Sequence, residues 1–208
     1  GSGKGNLVRN ILQTVDEHKD VAATDVFIID GISRKLQKCQ SLSITKNYTL
    51  DVTSIHDTIA NIDALLSARH TEIMNGHTDC LDKLPLQLLV VNNGDVFAEI
   101  SANKDTLTKF KNMQGKFKAM KVCMIFMDIA NEAVAFGAPE ALKMMKEAKH
   151  FVIFDDLANL KITDVAYAVG KTFKKPVEIG DAYYMRGNDL IKIKSVLADE
   201  TMRDRAKS

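Results

Sequence analysis

Four short apolar runs constrain the fold of this chain more than any other feature. They are DVFIID (Asp25–Asp30), LQLLVV (Leu86–Val91), KVCMIFM (Lys121–Met127) and HFVIFDD (His150–Asp156). Each is short, rich in branched or aromatic residues, and lacks the polar alternation of a strand with one wet face. Strands buried on both faces need helices above and below them. The intervening segments supply such helices. Asn6 to Lys19 carries Leu7, Val8, Ile11, Leu12 and Val15 at helical spacing. A long helix beginning at Ser54 carries Ile55, Ile59, Ile62, Leu65, Leu66 and Ile73 on one face. Ser54 with Asp57 resembles a capping box there. Thr106 to Met120 reads as a helix with Leu107, Phe110 and Phe117 inward. Pro139 suits the first turn of a helix running to about Glu147. Ile162 to Gly170 reads as one more helix, stopped by its glycine. The polar stretch from Gly31 to about Asp51 carries no predicted element. Asp181 to Lys194 alternates about a Gly-Asn pair and predicts a terminal hairpin. The expected architecture is α/β: a mainly parallel sheet with helices on both faces and a C-terminal β-hairpin. No internal repeat and no Pro/Gly/Ser linker divides the chain. One domain is expected over residues 1–197, with a charged, flexible tail at 198–208.

Charge narrows the function classes. Lys and Arg number 28 and Asp and Glu 27, so no broad electrostatic case for nucleic acid arises. Lys104, Lys109, Lys111, Lys116, Lys118 and Lys121 are the one basic concentration, and they read as a solvated helix face. Cys39, Cys80 and Cys123 lie far apart with no C-x-x-C spacing, as ordinary thiols in a reducing compartment do. No apolar run approaches the ~20 residues of a bilayer span, and no signal peptide is present. The chain as given reads as soluble.

The chemistry-bearing stretch is the opening, GSGKGNLVRNIL. Gly3 and Lys4 match the back half of a phosphate-binding loop, and the apolar run matches the helix that such a loop feeds. In that motif backbone N–H groups cradle phosphates, the lysine reaches the terminal phosphates, and a Ser or Thr hydroxyl helps to hold Mg²⁺. Gly5 stands where the hydroxyl belongs. On its own, the match reads equally as a genuine loop or as a chance spelling at the chain start. The second half of such a site is an apolar strand ending in Asp, often followed by Glu. Leu88–Val91 supplies the strand, but Asn92 and Asn93 follow it. An amide carries no charge, so it neither holds Mg²⁺ electrostatically nor acts as a base. The three departures remove metal and water activation together.

Other carboxylates have plainer readings. Asp95 reads as a solvated residue in a Gly-Asp turn, and Asp128 as a cap for the next helix. Asp155 and Asp156 form a pair with no His or Glu at ligand spacing, so no metal site is expected. No residue is assigned a catalytic role. Phe136, Met144 and Met145 lie close to Gly137 and Pro139, where a loop enters a helix. Methionine-containing patches adapt to a helical partner, although the same residues also serve as core.

The order of GSGK with its helix, DVFIID, the long helix from Ser54, LPLQLLVVNNGD, KVCMIFMDIA, AKHFVIFDD and GDAYYMRGNDLIKIK resembles an FtsK/SpoIIIE-type ATPase domain. In that family a strand beginning just after a proline carries the acidic motif, as Leu86–Val91 follows Pro85. The terminal hairpin is similar to that of the multi-domain coupling ATPases of type VII secretion, in particular their last, most degenerate module. The resemblance covers nearly the whole chain and lacks only the first strand. It implies a three-layer P-loop NTPase fold of RecA type. It implies ATP and Mg²⁺ as family cofactors, with Lys4 as the phosphate lysine, Gly5 at the hydroxyl position, and Asn92 and Asn93 at the acidic pair. It implies a membrane-anchored protein whose tandem modules work at the cytoplasmic face and assemble as hexamers. Its implied partners are neighbouring modules of the same chain and helical exported proteins of the WXG100 type. Two other readings stay open: an active module with Mg²⁺ held by Asp95 or Asp128, and a DNA-translocase motor.

Overall fold

The computed structural model describes residues 3–77, 80–92, 94–116, 120–127, 150–154, 180–186 and 189–195. Strands β1 (Thr24–Ile29), β2 (Thr45–Thr49), β3 (Leu86–Asn92) and β4 (Val122–Met127) form one parallel sheet in the order β2-β1-β3-β4. The central strand β3 is buried at every position from Gln87 to Asn92. That explains its unbroken apolar run, since both its faces are covered.

The two faces divide by residue parity. Val26, Ile28, Leu88, Val90 and Met127 pack with Val8 and Leu12 of helix α1 (Lys4–Glu17), and with Leu36, Cys39 and Ile44 from the β1–β2 connection. Ile29, Leu89, Val91 and Val122 face the other way. They meet α2 (Val52–Met74), α4 (Gly94–Ala102) and α5 (Lys104–Lys116). A short helix α3 (Cys80–Lys83) precedes β3. Phe97, Phe110 and Phe126 meet edge-on or tilted at centroid distances of 5.9, 5.5 and 6.4 Å, and tie α4, α5 and β4 together.

Several expectations are corrected. The fourth parallel strand is β2, within the stretch predicted to carry no element, and not the run at His150. The residues of β2, TKNYT, are polar because the strand lies at the sheet edge and is only partly covered. The run at His150 becomes β5 (His150–Ile153), which pairs antiparallel with β6 (Asp181–Arg186). Its Val152 remains 38% exposed, so this strand is not buried on both faces. The hairpin is as expected: β6 and β7 (Asp189–Lys194) pair from Asp181↔Lys194 to Arg186↔Asp189, leaving a two-residue connection.

The N-cap of helix α2 lies three residues earlier than the predicted cap, Ser54. Asp51 is the N-cap, its Oδ1 accepting from the Ser54 backbone N–H at 3.0 Å and its Oδ2 from the Ser54 hydroxyl at 2.7 Å. Asp95 does not lie in a solvated turn. It is in the first turn of α4, a helix that the sequence reading omitted and whose Val96, Phe97 and Ile100 are buried. Asn103 then caps α5, its Oδ1 accepting from the Thr106 N–H at 3.0 Å. No described helix is long and apolar enough to cross a membrane.

Candidate functional site

The C-terminal ends of β1, β3 and β4 and the start of α1 converge at one edge of the sheet. Open α/β sheets bind ligands at such an edge. Gly3 caps α1 with a left-handed φ of +94°. A Cβ there would lie 3.2 Å from the Phe154 ring and 3.4 Å from the Gly180 Cα. The start of the helix therefore rests against the base of the hairpin sheet. Asn6, 8% exposed in the first turn, extends that contact by donating to Ser195 Oγ at 3.5 Å. A Cβ at Gly5 would meet the Lys35 Cβ at 3.6 Å and the Met127 Cε at 3.9 Å. Since Met127 pairs with Asn92 in the sheet, the loop residues Gly3, Lys4 and Gly5 share an edge with the end of β3.

Parity carries Asp30 and Asn92 onto the face of α1. They continue the rows Val26–Ile28 and Leu88–Val90, and Ile28 is paired with Val90. Both Asp30 and Asn92 are 0% exposed. The Asn92 Nδ2 donates to Asp30 Oδ1 at 2.5 Å, to Ser33 Oγ at 2.9 Å and to the Asp30 carbonyl at 3.4 Å. The other carboxylate oxygen of Asp30 accepts from the Leu36 N–H at 2.8 Å and from the Tyr48 hydroxyl at 2.6 Å. Burial pushes the Tyr48 hydroxyl well above the ordinary tyrosine value, and the hydrogen bond to Asp30 adds to the shift. Arg34, nearby, opposes it.

Asp95 grips the same β1 loop from the other side. Its Oδ2 accepts from the Ile32 N–H at 3.3 Å. Both its carboxylate oxygens and Val96 lie within 3.2 Å of where a Cβ on Gly31 would stand. Asn92 Oδ1 and Asp95 Oδ1 are buried with no hydrogen-bond partner.

The donor set decides which family ligands fit. The left-handed glycine, the helix start and Lys4 have the form of a phosphate cradle. Among the described residues the donors for Mg²⁺ are poor: Gly5 offers no side-chain oxygen, and the Asn92 amide is turned onto Asp30 through its nitrogen. Among the described residues no cluster of three or more His, Cys, Asp or Glu is placed to hold a metal ion.

Gly3, Lys4, Gly5 and Asn92 are thus brought to one edge. Asn93, Asp128, Asp155, Asp156, Phe136, Met144 and Met145 lie outside the described residues, as do the helices expected from Pro139 and from Ile162 and the tail at 198–208. Sequence reasoning missed Asp30, Tyr48 and Gly31 as site residues. The signal for Asp30 was available, because it ends DVFIID in phase with Val26 and Ile28. Of the thiols, Cys39 is buried in the α1-side core, whereas Cys123 is exposed on β4 with its titration pushed up by partial burial.

The fold is that of P-loop ATPase domains. The cytoplasmic domain of the Thermomonospora curvata type VII secretion ATPase EccC matches with a TM-score of 0.67 at 15% identity, over 95% of this chain and 23% of that one. ATPases 2 and 3 of the same EccC, solved in complex with a signal sequence peptide, match with a TM-score of 0.69 at 14% identity, over 95% and 35%. ATPases 2 and 3 of EssC from Geobacillus thermodenitrificans match with a TM-score of 0.70 at 16% identity, over 95% and 35%. This chain therefore spans 23–35% of the length of those solved chains. No family model matches the sequence, and no curated protein matches it.

Proposed function

We propose that this chain is a degenerate ATPase module of a type VII secretion coupling motor, and that it works by binding rather than by hydrolysis. The observation that carries this reading is the Asn92 amide donating into the buried Asp30 carboxylate, where an active module needs a metal-holding acid. Gly5, which brings no hydroxyl, points the same way. The module recognises helical exported proteins of the WXG100 type, regulates neighbouring modules of the same chain, or does both. The solved EccC complex with a signal sequence peptide supports a peptide partner. The proposed docking patch includes Phe136, Met144 and Met145. In the full protein the module sits at the cytoplasmic face of the membrane within a homo-oligomeric, hexameric motor.

The test has two arms. In the first, ATP turnover by the protein is compared with that of Lys4→Ala. The two are expected to be equal, and an Mg²⁺-dependent turnover that disappears in the variant overturns the non-hydrolytic reading. Calorimetric titration with ATP, with and without Mg²⁺, is expected to show no gain in affinity from the metal. In the second arm, binding of WXG100-type proteins is compared across wild type, Phe136→Ser and Met144→Ser, each checked for folding by circular dichroism. Binding weakened in both variants supports the patch. Binding unchanged in both moves the docking surface elsewhere, and the absence of any binding leaves an architectural role in the motor.

A further inference from the structure

We propose that Asp30 and Asn92 form a pair that holds one carboxylate only, and that Asn92 is a positioning residue locking the β1 loop through it. Position 92 then cannot carry an acid unless position 30 gives one up. The inference goes beyond the binding role above and stands on geometry alone.

The two side chains are both 0% exposed and meet at 2.5 Å. An ionised carboxylate only accepts, so the amide must present its nitrogen to Asp30. An acid at position 92 would place a second carboxylate against the first in a site closed to water. Like charges at that separation cannot both persist without a large cost. The loop beyond Asp30 depends on the same contact. Asn92 also reaches Ser33, and Asp30 holds the Leu36 N–H, so both ends of the Asp30–Leu36 loop are tied to this pair. The loop in turn carries Ile32, 85% exposed, and Lys35, which lies beside Gly5.

The atom pattern also defines a rescue. Asp30 uses one oxygen for Leu36 and Tyr48 and the other for Asn92. In an Asp30→Asn variant the amide oxygen takes the first place and the amide nitrogen the second. That nitrogen then donates to a carboxylate at position 92, and the Ser33 hydroxyl turns to donate as well. Exchanging the two residues therefore keeps the contacts to Leu36, Tyr48 and Ser33 and the one between positions 30 and 92, gives up the long 3.4 Å bonds to the carbonyl of residue 30, and moves the charge from the end of β1 to the end of β3.

The experiment compares wild type, Asn92→Asp, and the exchange Asp30→Asn with Asn92→Asp. Asn92→Asp is expected to lower the thermal midpoint by about 6–20 °C. The exchange is expected to recover at least half of that loss. If Asn92→Asp does not fold, a folded exchange variant supports the pair as proposed. An unchanged midpoint in Asn92→Asp overturns the proposal, and so does an exchange variant no more stable than the single one. Amide hydrogen exchange supplies a second readout in Asn92→Ala. The Leu36 N–H should exchange at least tenfold faster while that of Ile55 in α2 keeps its rate. Unaltered Leu36 exchange would show that the loop does not depend on Asn92.

Discussion

Gly31 shows how tightly single residues are fixed at this edge. Its φ is +60°, and a Cβ would stand 2.9 Å from Val96 Cγ2 and 3.0 Å from Asp95 Oδ2. Both the backbone conformation and the space exclude a larger residue. Gly31→Ala is expected to cost about 2–3 kcal/mol, read as a lower urea midpoint. A change below about 0.5 kcal/mol, the size seen at ordinary surface sites, would show that the loop yields easily. Arg34 follows in the same loop with a φ of +50°, a second left-handed residue within four positions. The chemistry of Asn92 was half legible in the sequence. Its missing charge could be read from residue type alone. Its partner could not, because Asp30 is 62 residues away and becomes a neighbour only through the β1–β3 pairing. The motif at Gly3–Gly5 was legible as a pattern, whereas its contact with Phe154 and Gly180 was not.

Among the elements, α2 shows both a legible feature and two that were hidden. Its apolar face was read from the spacing of Ile55, Ile59, Ile62 and Leu66, and all four are buried. Arg69 lies three residues beyond Leu66 on that face and is only 6% exposed. Its guanidinium donates to the Met120 carbonyl at 3.0 Å and the Pro85 carbonyl at 3.1 Å, pinning the turns that lead into β4 and β3. A planar fork can serve two carbonyls at once. Arg69→Ala is expected to cost about 2–4 kcal/mol in chemical denaturation, with Arg69→Lys recovering part of it. Equal loss in both would mean that packing of the stem matters and the fork does not. At the other end of α2, the Ser54 side chain and then its backbone N–H hold the Asp51 carboxyl below the ordinary aspartate value. A lowered folded value contributes stability that is complete above the unfolded value and is lost as the pH falls through the folded one. Between pH 6 and about pH 3, Asp51→Ala should therefore lose less stability than wild type. Parallel acid titrations would contradict this. The strands were read by their apolar runs, and that cue fails in two ways. It overlooks β2, whose edge position allows polar residues, and it cannot say which sheet β5 joins. It also passes over α4, because the Gly94–Asp95 pair that reads as a turn is itself the first turn of that helix.

At the scale of the whole molecule, the layers follow from the alternation of buried runs and helical segments. The placement of the hairpin sheet does not, since it depends on Gly180, Phe154 and Ser195 meeting α1 from the far end of the chain. The same global placement determines whether nucleotide chemistry can be restored. Position 5 raises no steric obstacle: a Cβ there meets Lys35 and Met127 at ordinary contact distances of 3.6 and 3.9 Å. The obstacle lies at Asn92, whose site already holds the Asp30 carboxylate. A variant combining Gly5→Thr, Asn92→Asp and Asn93→Glu should therefore remain without strong ATPase activity. Each ~1.4 kcal/mol of lost transition-state stabilisation is a factor of ten in rate, and an acid crowded against Asp30 is poorly placed to hold a metal. Steady-state ADP release from the triple variant should thus stay within about tenfold of the Lys4→Ala background. Adding Asp30→Asn should restore thermal stability without restoring turnover. Robust hydrolysis by the triple variant would show that the scaffold is intact and that Asp30 does not exclude the acid. Turnover appearing only with Asp30→Asn would show that the one-carboxylate pair was the last barrier to catalysis.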